Sequence, residues 1–563
     1  MVKGEASVIH EVSTADANEE PTNKKIELES KTDDLDEAVD MISSLPDHII
    51  HHIMSFLPTK DATRSSVLSK SWRYLWGSFP ILDFDQSLFG RSCLKSEDFL
   101  TYLENSIRRR EGFMEIEKFR LRVHDFHSDD SRVDSAIRWA LEHGVQELDL
   151  YLLEINYLPC SLPKDLCPTK SVVSLKLRSF HVDFQDLLLG FPSLQELVLR
   201  QCEGSNKIQR LGVNLKTLVL DQCIGFDNIK MEQCNLQSFI YSSNPFNQST
   251  ITLTACIFLK VLSLKGARIV DKWIEHHISE LAHLEDLTLD GCLGLKTVTL
   301  SHGKLERLSL LECIQVVEIE IDCPQLYSFI YSGQIVNFHY LNSSSYLNAT
   351  LILSEVQTMG RFVKLRKLLR VFDHCKLLNI VCNSYKDLII PETHKARFIP
   401  PIHDVKHLEV KCHSIIDDCT QLVDNLLWFA PHLQTLSIVS RIKGGTEVDH
   451  NVGASNYAIE LEEDQHAVKP LYSYKKLDFQ FQYMRRITND EVSFCCLEHP
   501  KKCWQHHLKK VMINGLDGFA DDDEKSLLKY FSKNGKILEL IQKDSKIFRV
   551  VQGNYFEQST ILS

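Results

Sequence analysis

The sequence predicts an α/β protein: a small three-helix unit near the N-terminus, a solenoid with a parallel β-sheet on its concave face, and a C-terminal α/β cap. Three observations predict it. Apolar residues at helical spacing, interrupted by Pro and Ser stop-and-start signals, fill residues 45–76. From residue 145 the form Leu-x-x-Leu-x-Leu recurs nine times, its starts 21–27 residues apart. The chain has 563 residues, 44% of them hydrophobic and 25% charged, a globular balance at a length beyond one ordinary domain unless a repeat accounts for it.

Charge sets the first exclusions. The net charge is -13, and residues 1–37 hold eleven Asp/Glu against four Lys, a net of -7, which leaves -13 + 7 = -6 for the rest. So acidic a chain is a poor partner for nucleic acid. Residues 1–38 are polar and lack apolar periodicity, and are expected to form a disordered acidic tail. No basic stretch followed by an apolar run opens the sequence, and no segment approaches the roughly 18 consecutive apolar residues of a spanning helix. Neither export nor a membrane is therefore expected. The 17 Cys read as reduced thiols of the nucleus or cytoplasm.

Residues 41–80 form the helical unit. Ile49, Ile53, Phe56 and Leu57 share one helical face, and Pro46 suits a first turn. Pro58 ends that helix, Thr59 is a candidate cap for a second with Asp61 in its first turn, and Ser69 for a third carrying Trp72, Leu75 and Trp76. Three short helices make too small a core to stand alone, so the unit must pack on the rest of the chain or on a partner. Residues 81–144 are read as a linker or N-terminal repeat cap.

Residues 145–340 hold the repeats, from Val145/Leu148/Leu150 to Leu326/Phe329/Tyr331. This is the leucine-rich-repeat period: each unit gives a short strand, and stacked units bury a core that one alone could not. In four repeats a Cys stands eight residues after the first Leu, at Cys202, Cys223, Cys292 and Cys313. These are expected to be buried packing residues, not catalytic or disulfide-bonded ones.

Residues 341–480 are read as degenerate repeats and loops. A strand and a helix fit LNATLILSEV and KLRKLLRVF, strands return at Val405/Leu408/Val410 and Leu433/Leu436/Ile438, and residues 442–470 have the composition of an exposed loop. Residues 481–563 read as the closing cap: LKKVMI as a strand, DDDEKSLLKYFSK as a helix with acids in its first turn, and KILELI as a last strand.

The stretch 45–76 resembles the F-box of plant F-box proteins. It carries Leu45-Pro46-Asp47, Ile49, Ile53 and Leu57, then Pro58-Thr59-Lys60-Asp61-Ala62, Val67-Leu68-Ser69-Lys70 and Trp72-Arg73-Tyr74-Leu75-Trp76. Ser71 stands where many members carry Arg, and Thr63 where Val is frequent. Residues 145–340 resemble the repeats of plant F-box/leucine-rich-repeat proteins, and 494–541 look like the FBD-type region of that group, with a more charged final helix. The resemblance implies a substrate-recognition subunit of a Skp-cullin-F-box ubiquitin ligase. The F-box would bind the Skp-family adaptor and, through it, cullin, and the repeats a protein substrate marked for degradation. It implies adaptor contacts at Leu45, Pro46, Ile49, Ile53, Leu57, Val67, Leu68 and Trp72. The alternative is a repeat scaffold that acts without a cullin complex.

On the concave face, the fifth and seventh repeat positions point away from the inward Leu residues. That stripe starts basic at Lys176, Arg178 and Arg200 and ends apolar near Leu311 and Ile330, which are the candidate substrate contacts. The mixture suits a protein ligand better than nucleic acid. A Cys/His cluster at Cys495, Cys496, His499, Cys503, His506 and His507 matches no standard two-pair zinc finger, and His48, His51 and His52 are read as a solvated helix face. No catalytic set, metal or cofactor is expected: no phosphate loop, HExxH pair or GxSxG elbow occurs.

Overall fold

The computed structural model describes residues 45–441, 474–484, 503–515 and 521–558, with gaps at 58, 90–95, 111–114, 127–130, 155–157, 164–167, 205–206, 209–210, 227, 233–234, 245–248, 255, 355–359 and 396. The acidic tail, the loop of 442–470 and the cluster residues Cys495, Cys496 and His499 lie outside the described residues.

Three helices open the structure: α1 (Asp47–Ser55), α2 (Thr59–Ser65) and α3 (Lys70–Ser78). Pro46 stands just before α1, and its carbonyl accepts from the N–H of Ile49 at 2.8 Å and of Ile50 at 3.2 Å. Ser69 caps α3, its hydroxyl accepting from Trp72 N–H at 3.1 Å. Thr59 behaves differently from the cap expected of it. It lies inside α2, buried, and its hydroxyl accepts from Asp83 N–H at 2.7 Å, which fastens the unit to the first strand of the sheet.

That sheet is the spine of the molecule. Among the described residues, fifteen parallel strands follow one another in chain order. They are β1 (Ile81–Asp85), β2 (Lys118–Phe126), β3 (Glu147–Glu154), β4 (Ser174–Arg178), β5 (Glu196–Arg200), β6 (Thr217–Cys223), β7 (Ser238–Ser243) and β8 (Val261–Lys265). Then come β9 (Asp286–Asp290), β10 (Arg307–Leu311), β11 (Ser328–Gly333), β12 (Asn348–Leu353), β13 (Leu377–Cys382), β14 (His407–Cys412) and β15 (Thr435–Arg441). The repeat thus begins two strands before residue 145 and runs without a break past 340. One buried apolar residue per strand stays in register along it, from Leu82, Phe119, Leu148 and Leu175 through Phe329 and Ala349 to Leu378, Leu408 and Leu436. No single strand could bury such a residue on both sides; the stack does.

The chain leaves six of these strands through a left-handed residue at the eighth repeat position. Ser179, Gln201, Gln222, Gly266, Gly291 and Glu312 all have φ between 49° and 66°. Gly266 has a second reason to be Gly, because a Cβ there would lie 2.1 Å from the Ser243 hydroxyl. The repeat Cys follow this turn and donate back to a carbonyl of the preceding repeat. Cys202 reaches Leu177 O at 3.4 Å, Cys223 Leu199 O at 3.3 Å, Cys292 Leu264 O at 3.5 Å and Cys313 Leu289 O at 3.6 Å. A small apolar side chain with a weak donor suits that position. Cys202, Cys292 and Cys313 are buried, whereas Cys223 is only half-buried. The expectation of full burial therefore fails at Cys223, which sits where β6 bulges against β7. The Cys202 hydrogen bond and burial hold the Cys223 thiol well above its ordinary pKa, and Cys313 does the same to Cys292. Maleimide labelling of the folded protein at pH 7 is expected to spare Cys202, Cys292 and Cys313 and to be slow at the half-buried Cys223 too, because its thiolate is disfavoured; fast native labelling of any of the four would contradict the ladder.

At its far end the sheet changes direction. β16 (Tyr474–Tyr483) pairs antiparallel with β15, and β17 (Leu508–Asn514) antiparallel with β16. β18 (Leu540–Lys543) is not the last strand, as KILELI suggested. A hairpin of β19 (Lys546–Val551) and β20 (Asn554–Gln558) adds two more antiparallel strands. Its two turn residues, Gln552 at φ 49° and Gly553 at φ 78°, have the positive φ pair of a primed hairpin turn. The sequence signal was weak because Gln, not Asn or Asp, precedes the Gly.

Candidate partner-binding surfaces

The first surface is the outer face of the helical unit. Ile49 is 38% exposed, Ile53 40%, Leu57 42%, Leu68 68% and Val67 80%. Pro46 is exposed, and Leu45 is partly buried against the core. Phe56 is 76% exposed and was absent from the expected contacts, although its spacing placed it on the same face. The face that periodicity found on α1 is therefore real, but it points outward. The inward stripe is Ile50 and Met54, both buried, on the side where α1 meets α3. Helical spacing shows that two stripes exist; only the neighbouring helix decides which one is covered.

Two expectations are corrected here. Trp72 is not an exposed contact: it is 7% exposed and belongs to the buried cluster of Met54, Ala62, Leu75 and Trp76. The Ser69 cap fixes where α3 starts, and residues 72, 75 and 76 then share one inward stripe. His51 is not on a solvated face. It is half-buried, its Nε2 lies 3.1 Å from Leu75 O, and its ring centroid lies 5.6 Å from that of Phe79. His48 and His52 are exposed.

A buried arginine holds this unit, and nothing in the sequence singled it out. Helix α4 (Ser96–Arg108) ends just before Arg110, which is 1% exposed. Its guanidinium donates to Phe79 O at 3.0 and 2.8 Å and to Trp76 O, and lies 4.5 Å from the centre of the Trp76 ring. It thus engages Phe79 O just past the end of α3 and adds a second donor to Trp76 O, which already accepts from Phe79 N–H at 3.3 Å. Burial lowers its pKa to about 10, which leaves it charged at neutral pH. The signal missed was small, since Arg108-Arg109-Arg110 reads as a solvated charge run.

The second surface is the start of the concave face. Register places Arg122, Tyr151, Arg178 and Arg200 in one row across β2 to β5, and Arg120, Asp149 and Lys176 in the next. Lys176, Arg178 and Arg200 are thus brought together as expected of a stripe, around a hollow that Arg122, Asp149 and Tyr151 also line. Arg178 Nε donates to Gln201 Oε1 at 3.0 Å, and its guanidinium lies 4.5 Å from the Tyr151 ring centre. Arg120 bridges Asp83 at 3.2 Å and Asp149 at 2.9 Å, and Arg122 lies 3.6 Å from Asp85. Burial raises the Asp83 carboxyl against the pull of Arg120 and Arg122. Arg122 was missed although Ile116/Phe119/Leu121 has the repeat form, 29 residues before Val145.

The apolar end of the stripe does not form a comparable surface. Leu311 is 9% exposed, so it is not available as a substrate contact, and Ile330 is half-buried. Leu311 stands between Asp290 and Ser332 of the adjoining strands, about 4.8 Å to either side, and side chains that close together cover one another.

Among the described residues His276, His277 and Glu280 on helix Asp271–Glu280 place three possible ligand atoms within 4.8 Å of one another. His276 and Glu280 are exposed, and a fourth protein ligand is not present in the group, so it falls short of a closed structural site.

Comparison with known proteins matches three regions. An F-box domain model matches residues 42–84, a model described as At1g61320/AtMIF1, LRR domain matches 245–471, and an FBD model matches 498–540. Two F-box/LRR-repeat proteins of Arabidopsis thaliana are 36% identical over 174 residues and 41% identical over 148. Those matches cover 30% and 26% of this chain, and 36% and 38% of the relatives. A third F-box/LRR-repeat protein of the same plant is 29% identical over 326 residues, 50% of this chain and 66% of the relative. The matches with the first two thus span little more than a third of those relatives' length.

Proposed function

We propose, from a chain that carries the F-box, leucine-rich-repeat and FBD regions of the plant F-box/leucine-rich-repeat proteins, that it is the substrate-recognition subunit of a Skp-cullin-F-box ubiquitin ligase. The observation that carries this reading is the outward apolar stripe of α1. Ile49, Ile53, Phe56 and Leu57 stand exposed on a unit whose other face already packs on the chain's own core. Large apolar groups gathered on one exposed face mark a site of protein association. Through the Skp-family adaptor the unit would reach cullin, while the repeat sheet holds a protein substrate in the nucleus, the cytoplasm or both. The chain's part in this is that of a non-catalytic adaptor subunit.

The test is adaptor pull-down, with circular dichroism on the same samples. Ile53→Ala is expected to cost about 2 kcal/mol of adaptor binding, roughly 30-fold, with the fold unchanged. His48→Ala, at an exposed position of α1, serves as the silent control. Full binding by Ile53→Ala and Val67→Ala, both folded, would reject the adaptor surface. Adaptor capture without cullin would favour a scaffold that works outside the ligase.

A further inference from the structure

The helix Asp271–Glu280 joins β8 to β9 and packs against the short strands Thr250–Thr254 and Thr297–Ser301, away from the concave face. It carries His276, His277 and Glu280 in the order H-H-x-x-E. At 3.6 residues per turn Glu280 lies about 40° from His276 and about 60° from His277 around the helix axis, so its side chain stands between the two imidazoles. One ligand atom of each residue lies within 4.8 Å of the other two. His276 and Glu280 are exposed, and among the described residues neither side chain takes part in a hydrogen bond or an ion pair.

His277 is the anchor of this group. It is 7% exposed, and its Nδ1 is buried with no hydrogen-bond partner among the described residues. Its ring hydrogen-bonds to the Leu253 carbonyl, and with Nδ1 unpartnered the donor is Nε2–H. The lone pair of the neutral ring is then on Nδ1. Burial lowers the pKa of His277, so the ring is neutral at pH 7. The Trp273 ring, centred 4.8 Å away and itself tied to Ile251 O at 2.7 Å, limits how far the imidazole can turn. A buried nitrogen without a partner costs free energy unless something meets it. An imidazole whose other N–H is held by a backbone carbonyl is the arrangement that metal-binding histidines use.

The donor set narrows the cation. Two imidazoles and one carboxylate suit zinc and its neighbours among the divalent transition ions, whereas calcium and magnesium take oxygen ligands. Tetrahedral zinc with bonds near 2.0 Å holds its ligand atoms about 3.3 Å apart, so the widest separation here has to close by about 1.5 Å. The side chains that would move are the two exposed ones, His276 and Glu280, while the buried ring stays in place.

We propose that His276, His277 and Glu280 form an open three-ligand site for zinc or a similar divalent transition ion, with the fourth position left to water. The test uses the full chain, its accessible thiols alkylated and its metals removed by chelator, titrated with zinc and with cobalt. One equivalent of zinc is expected to bind at micromolar concentration or below. Cobalt in the same equivalent should give a tetrahedral visible spectrum without a thiolate charge-transfer band, which separates it from any site built on Cys495, Cys496 and Cys503. Zinc should also slow hydrogen exchange over residues 271–280. His276→Ala and Glu280→Ala each remove an exposed side chain, so circular dichroism should be unchanged. Each is expected to weaken this equivalent at least tenfold and to cancel the effect of zinc on exchange. His283→Ala, an exposed histidine just past the helix, should bind zinc as the unchanged chain does. Zinc binding unaltered in both variants, cobalt bound only with a thiolate band, zinc uptake at millimolar concentration only, or equal competition by magnesium or calcium would each overturn the proposal.

Discussion

Trp72→Ala is expected to loosen the whole helical unit, at a cost of about 3–5 kcal/mol, the range for deleting a large buried aromatic side chain. The indole is 7% exposed and shares its cluster with Met54, Ala62, Leu75 and Trp76, and three short helices have no second core to fall back on. Hydrogen exchange over residues 45–78 should therefore quicken strongly, while the strands from Leu148 onward stay protected because their inward row does not depend on this side chain. Adaptor binding should fall together with protection. Ile53→Ala differs in kind: binding falls and protection stays. Trp72→Phe, which keeps most of the apolar volume, should recover most of both. If Trp72→Ala lost adaptor binding with unchanged exchange over α1 to α3, the indole would be an interface group and the buried assignment would be wrong.

The contrast between Trp72 and Ile53 shows what the sequence could and could not say. The repeats were legible because the pattern of inward Leu residues is itself the packing rule: a residue such as Leu197 has one environment, between Leu175 and Leu218 in the same row. In the helical unit the same apolar types serve two environments. Ile49 and Ile50 are neighbours in sequence and opposite in exposure, and composition alone cannot sort them. The resemblance to the F-box named the right helices but placed Trp72 with the exposed group. On the concave face, sequence alternation gave the basic stripe correctly at Lys176, Arg178 and Arg200, because side-chain alternation on a strand has a period of two. It failed at Leu311, where burial comes from neighbouring strands and not from the strand itself. It was silent on Arg120 and Arg122, which lie on a strand reached only through a longer connection.

Arg110→Ala is expected to cost about 3–4 kcal/mol of the stability of the helical unit, an effect close to that of Trp72 from a residue outside its three helices. The guanidinium gives hydrogen bonds to Phe79 O and Trp76 O and lies over the Trp76 ring, so one side chain satisfies the open end of α3 and packs against its last aromatic. Removing it takes the guanidinium donors from Phe79 O and Trp76 O, of which Trp76 O keeps the Phe79 N–H at 3.3 Å, and opens a cavity, and both costs act where α3 meets the strand beginning at Ile81. Arg110→Met separates them: it keeps much of the volume and loses the donors, and should cost about 2 kcal/mol. Arg110→Lys should recover only part, because an ammonium cannot reproduce a planar group that donates to two carbonyls and stacks on an indole at once. The readouts are hydrogen exchange over residues 70–79 and adaptor affinity. A purely local role predicts faster exchange in α3 with α1 unchanged. A lock on the whole unit predicts faster exchange in both, because α1 packs on α3, and a fall in adaptor binding despite an untouched apolar stripe at Ile49, Ile53 and Leu57. Wild-type exchange in both helices of Arg110→Ala would show that the ends of α3 hold without it, and the arginine would then be a bystander to the docking of the F-box on the repeats.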